Sequence, residues 1–380
     1  MNVERTLAEL VAIDSRSSAS NLGVVRHVAP RAEALGMRVR LYPYADEAGV
    51  EKANMVAAWP PTFEEGGEVE LALVGHTDTV PFDPGWSEAL TLTERDGRLY
   101  GRGACDTKGF IAAALGALEA VDLGRLARPV ALVLTADEEV GCLGAKRLAE
   151  GRAFTARAAI VGEPTRLQPM RAGKGYCLGE VVVRGREGHS AYPAGGASAI
   201  TRAARLVTRV ERVAEELRRE GHEAFDPPET TINVGLIRGG TAKNVIAGEC
   251  RFTLEWRPVP NQPAGRVADL VRREIEDLRA QDPAFDAELI VMRLDEGSET
   301  PAGAPLVRAL EELTGERAGT VSFGTEAPQM RELGAAAVVF GPGDIRVAHR
   351  TGEFVPADEL RRAAEILRAA VERFCAPGHQ

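Results

Sequence analysis

A chain of 380 residues that is 44% hydrophobic can bury a large core, and its length favours two domains over one, which excludes a disordered or fibrous protein. The formal net charge of -10 argues against a nucleic-acid-binding surface, because phosphate recognition needs clustered positive charge, and small-molecule chemistry is the better expectation. Arginine outnumbers lysine 41 to 5, but the arginines are scattered through helical stretches, as at Arg202, Arg205, Arg209 and Arg212, which is the pattern of a solvated face.

The first fourteen residues carry Glu4, Arg5 and Glu9 where an export signal would be apolar. No run approaches the roughly 20 apolar residues of a membrane span. The five cysteines, at 105, 142, 177, 250 and 375, lack C-x-x-C spacing and suggest neither a disulfide framework nor a thiolate zinc site. A soluble protein of a reducing, cytoplasmic compartment is expected.

Apolar runs of strand length fall at Val69–Val74, Val130–Thr135, Ala158–Val161 and Ala335–Phe340, with helix-length Ala/Leu-rich stretches such as Phe110–Val121 between them. This alternation predicts an α/β domain with a largely parallel sheet. From residue 173 the pattern becomes strand Tyr176–Val183, helix Ser198–Glu220, strands Thr231–Ile237 and Glu249–Trp256, helix Ala264–Ala280 and strand Ala287–Met292. That β-α-β-β-α-β order is ferredoxin-like. The first pattern resumes with a helix at Pro305–Leu313, so residues 1–172 and 295–380 are expected to form one discontinuous domain, with 173–294 inserted.

Chemistry collects where the buried strands end. His76 and Asp78 follow the first run, Asp137, Glu138 and Glu139 the second, and Glu163 the third. Ligands of open α/β sheets gather beyond the carboxyl ends of the strands, so these groups should converge. Asp106 lies in the glycine-rich stretch Tyr100–Gly109 that opens a helix, where an anion is favoured. His349 follows the last strand. Clustered carboxylates raise one another's pKa unless a cation neutralises them, and two histidines with three or four acids match the ligand set of paired divalent metals. A phosphate cradle at Gly101 is disfavoured, since Lys108 is the only lysine nearby and the loop itself carries an acid.

The blocks Gly75–Pro81, Gly101–Gly109, Ala136–Gly141, Gly162–Thr165, Gly188–Ala191 and Ala348-His349 together resemble the M20 family of metallopeptidases and deacylases over nearly the full chain. The resemblance implies a dinuclear metallohydrolase domain with an inserted lid domain. It implies that Asp106 bridges two ions, zinc by default or cobalt, with His76 and Glu163 on one and Glu139 and His349 on the other. Glu138 would be the general base, Asp78 would orient His76, and the peptide after Asp106 would be cis. His189, from the inserted domain, would stabilise the oxyanion; in dimeric relatives this histidine comes from the other subunit, which implies a homodimer through the lid.

Arg257 and Asn244 match family positions that grip a substrate α-carboxylate, a task suited to guanidinium. Phe323–Pro328, read with Phe340–Ile345 and His349, resembles the branch that deacetylates N2-acetyl-L-ornithine, and there Glu326 would face the side-chain ammonium or be a solvated loop acid. The stretch Arg350-Thr351-Gly352-Glu353 departs from close relatives. Desuccinylation of diaminopimelate precursors, a lysine-pathway deacylase, a broader aminoacylase and a non-catalytic metal- or ligand-binding relative remain as alternatives.

Overall fold

The computed structural model describes residues 2–378, so the outermost ends of the expected domain, 1 and 379–380, lie outside the described residues. The chain divides into two compact units, one of Met1–Arg171, Glu299–Gly319 and Thr325–Gln380, the other of Ala172–Ser298 and Thr320–Gly324.

At the centre of the first unit, strands Val130–Thr135, Glu68–His76, Thr155–Val161 and Ala336–Val339 lie side by side in that order and parallel. Successive side chains of a strand point to opposite faces, and here both faces are buried. Leu71, Leu73, Leu132 and Leu134 enter one core, beneath helices Val3–Val11, Leu22–Ala34, Lys108–Glu119 and Ala357–Cys375. Ala72, Val74, Ala131 and Val133 enter the other, beneath Leu143–Glu150 and Ala327–Glu332. The sheet is mixed at its flank, where strands Arg38–Ala45 and Glu51–Trp59 form an antiparallel hairpin that pairs antiparallel with Val130–Thr135.

Helix Lys108–Glu119 is apolar nearly all round and buried from Lys108 to Leu118, which places Asp106 at the entrance of a fixed element. Gly162, just before Glu163, makes room for it. A Cβ at Gly162 would lie 2.2 Å from the Phe110 ring, so a larger residue would displace either the helix or the strand end carrying Glu163.

The second unit is a four-stranded antiparallel sheet in the order Thr231–Gly239, Glu249–Arg257, Tyr176–Arg184, Asp286–Asp295, the ferredoxin-like arrangement. Helices Ala199–Leu217 and Arg266–Gln281 pack on one face over Val181, Val183, Phe252, Leu254 and Trp256. The Trp256 indole donates to the Ala264 carbonyl at 2.8 Å, so its burial strands no polar group. Among the described residues no helix is long and apolar enough to cross a membrane.

Candidate metal centre

Parallel register explains why the candidate residues meet. His76 pairs with Thr135 and Val74 with Val161, so two strands end level, the third ends two residues earlier, and the residues following them emerge along one edge of the sheet. Asp106 reaches the same place from the loop before helix Lys108–Glu119, and the Asp106–Thr107 peptide is cis. His349 arrives on the turn after strand Ala336–Val339, in the left-handed region at φ 59°.

Asp106 turns one oxygen to each histidine: Oδ1 lies 3.0 Å from His76 Nε2 and Oδ2 lies 3.2 Å from His349 Nε2. Both Glu139 oxygens are 3.1 Å from His349 Nε2. His76, Glu138 and Glu163 offer ligand atoms within 4.8 Å of one another, as do His76, Asp106 and Glu139. His76 Nδ1 is 3.0 Å from the Asp78 carbonyl and 3.7 Å from its carboxylate. That carboxylate accepts from Ser17 Oγ at 2.8 Å and from the amides of Glu138 at 3.0 Å and Glu139 at 3.3 Å, so Asp78 ties the His76 strand end to the acidic turn.

The electrostatics are those of a site short of positive charge. Burial dominates at Glu138 and, against the attraction of His76, lifts its carboxyl to about 8, with Glu139, Glu326 and Asp106 adding repulsion. Burial and then Asp106 push Glu163 well above the usual carboxylate range and raise Glu139 as well. Burial also opposes the charge of Asp106, but hydrogen bonds from His349 and His76 outweigh it and hold that carboxyl low. His349 rises to about 10, chiefly through its hydrogen bonds to Asp106 and Glu139.

In the metal-free protein the imidazoliums thus stand where cations belong. Two imidazole nitrogens, a carboxylate divided between them and further acids fit a pair of divalent ions. Metal uptake must displace protons from His349, His76 and Glu163, so zinc affinity is expected to be higher at pH 8 than at pH 6, with protons released on binding. Chelator competition at the two pH values checks this; equal affinities would contradict it.

Glu326 lies in the same unit and is not a solvated loop acid: it is 1% exposed, burial lifts it to about 7 against the pull of His76, and its Oε1 has no hydrogen-bond partner among the described residues. His189, Asn244 and Arg257 belong to the second unit. His189 is exposed, its Nδ1 accepting from the Ala191 amide at 3.1 Å, and Asn244 is exposed too. The Arg257 guanidinium lies 4.7 Å over the Tyr176 ring, with Nε donating to Glu255 at 2.7 Å and Nη1 to the Ser322 carbonyl at 3.3 Å.

Several supporting residues carry no local motif. Lys52 Nζ donates to Asp137 Oδ1 at 2.8 Å and to the carbonyls of Ser17 and Ala19 at 2.7 Å each, while Tyr44 donates to the other Asp137 oxygen at 2.8 Å. Asp137 is in the left-handed region at φ 58°, so this network holds the turn that aims Glu138 and Glu139. The Cys142 thiol donates to Glu138 Oε1 at 3.3 Å. A lysine at the head of a buried strand was the available signal for Lys52.

The model of peptidase family M20/M25/M40 matches residues 72–373. The chain is 56% identical to acetylornithine deacetylase of Myxococcus xanthus over 371 residues, covering 97% of both chains. It is 36% identical to acetylornithine deacetylase of Proteus mirabilis, covering 96% of this chain and 93% of the relative. Among solved structures, an aminopeptidase of Bacillus cereus superposes with a TM-score of 0.77 at 22% identity, covering 98% of this chain and 97% of that one, and shares the fold. With this match and the ligand cluster both in place, the chain belongs to peptidase family M20/M25/M40, as a metal-dependent amidohydrolase.

Proposed function

We propose that the chain hydrolyses N2-acetyl-L-ornithine to L-ornithine and acetate, with two divalent ions, zinc or cobalt, held by His76, Asp106, Glu139, Glu163 and His349. The observation that carries the dinuclear chemistry is Asp106, whose two oxygens are divided between two histidines. The substrate rests on the Myxococcus xanthus acetylornithine deacetylase, 56% identical over nearly the full length.

Bound at this cluster, the ions supply Lewis acidity toward the acyl carbonyl and make water easier to deprotonate. Glu138 takes the proton of the attacking water and delivers it to the departing amine. Burial chiefly lifts the Glu138 carboxyl to about 8, and with cations held by the neighbouring residues Glu138 would be ionised and able to act as a base. Asp78 keeps the Glu138–Glu139 turn in register with His76. His189 is assigned to the oxyanion, Arg257 and Asn244 to the α-carboxylate, and the buried Glu326 to the side-chain ammonium.

The setting proposed is arginine biosynthesis in the cytoplasm, which accords with five buried thiols. A homodimer through the second unit is supported by Leu236, Ile290, Met292 and Leu294, large apolar side chains exposed there. The test is amine release, with zinc or cobalt supplied, from N2-acetylornithine, N-succinyl-diaminopimelate, N-acetylmethionine and an Xaa-Gly dipeptide. N2-acetylornithine is expected to have the highest kcat/KM. Activity confined to another acylated amino acid would keep the chemistry and overturn the substrate.

A further inference from the structure

We infer that Glu353 is a positioning residue for the metal centre, fixing the direction of Asp106 and tethering the segment that carries His349 to the same loop. The inference rests on the dinuclear reading of the site. Glu353 has no exposed surface, and its Oε1 accepts from two consecutive amides, Cys105 N and Asp106 N, at 3.0 Å each. Its Oε2 is met by Arg102 Nη1 at 2.5 Å. Arg102 is itself buried, donates to the Pro81 carbonyl at 3.2 Å and lies 5.4 Å from the centre of the Trp86 ring.

The backbone brings these groups together by strand pairing. Phe354–Pro356 runs antiparallel to Arg98–Tyr100, and the Gly101 amide donates to the Glu353 carbonyl at 3.1 Å. The Glu353 side chain therefore starts beside the glycine-rich loop and reaches under its far end. A carboxylate holding the amide of Asp106 and the amide before it fixes the peptide planes from which the Asp106 side chain departs. The division of the Asp106 oxygens between His76 and His349 depends on that direction.

The second half of the tether is short. His349 and Gly352 are both left-handed, at φ 59° and 80°, and the Glu353 amide donates to the Arg350 carbonyl at 3.2 Å, so only three residues of tight turn separate His349 from its anchor. One buried carboxylate thus sets two ligands of the centre, Asp106 directly and His349 through the turn. Removing it would leave two amides without an acceptor and the Arg102 guanidinium without its counter-charge.

The test compares the parent with Glu353→Gln and Arg102→Gln, measuring zinc stoichiometry and affinity by chelator competition, unfolding temperature of the metal-free protein, and kcat and KM at saturating zinc. Glutamine keeps the shape but loses the charge and one acceptor. Glu353→Gln is expected to weaken zinc binding about 10–100-fold, the loss usual for groups that orient metal ligands, with kcat lowered and KM nearly unchanged. Arg102→Gln should shift zinc affinity the same way by less, and it decides the matter if Glu353→Gln does not fold. A merely structural role would lower the unfolding temperature and leave the zinc affinity of the folded variants equal to the parent's, which would overturn the inference. A parent that binds no zinc pair would instead overturn the dinuclear reading, and the inference with it.

Discussion

Replacing Glu138 by glutamine is expected to lower kcat by about 10²–10⁴-fold, the usual contribution of a general acid-base group, with KM little changed and both zinc ions retained. Glutamine matches the shape of the side chain but cannot carry a proton from water to the leaving amine. The five proposed ligands, His76, Asp106, Glu139, Glu163 and His349, remain. Turnover at the parent rate would reassign the base.

The same variant has a pH signature in the metal-free protein. The Glu138 carboxyl titrates near 8 in the fold against 4.5 as the ordinary value, so the folded state holds a proton that the unfolded state has released. A raised folded-state pKa contributes stability that is complete below about 4.5 and lost as pH rises through about 8. Metal-stripped parent should therefore lose stability between pH 5 and 8, and Glu138→Gln should show a flatter dependence in urea unfolding. Parallel profiles would contradict the assignment of that proton to Glu138.

The largest effect on stability is expected from Lys52→Met, a loss of about 3–5 kcal/mol, the range for removing one partner of a buried ion pair. The Lys52 and Asp137 side chains are 0% and 2% exposed, and methionine replaces the stem while leaving the Asp137 carboxylate with the Tyr44 hydroxyl alone. The Ser17 and Ala19 carbonyls lose their donor as well. Because Asp137 opens the Glu138–Glu139 turn, turnover should fall along with the urea midpoint of the metal-loaded protein. Unchanged stability would mean that the pair stabilises nothing net and that the turn is held elsewhere.

The central strands were legible because both faces of each are buried, which writes near-continuous apolar runs such as Val130–Thr135. The hairpin of Arg38–Ala45 and Glu51–Trp59 was not, since the outer strand is half exposed and holds Arg38, Arg40 and Pro43, and Lys52 and Asn54 interrupt the inner one. The buried helix was recognised but begins at Lys108 rather than Phe110, since the buried lysine stem reads as polar in the sequence.

The clustering of the proposed metal ligands was legible because each follows a buried strand or a glycine-rich turn. Their supports were not. Lys52 and Asp137 are 85 residues apart and Arg102 and Glu353 are 251 apart, so no local spacing joins them and only the fold brings them together. Glu353 was visible merely as part of a departure from close relatives, and its carboxylate acquires meaning from strand Phe354–Pro356 lying against Arg98–Tyr100.

The most direct measurement is ornithine release from N2-acetyl-L-ornithine by metal-stripped protein as zinc is added back. Release should be absent without metal and should rise with zinc until two ions are bound per chain. Release unaffected by stripping, or none with two ions bound, would contradict a dinuclear deacetylase.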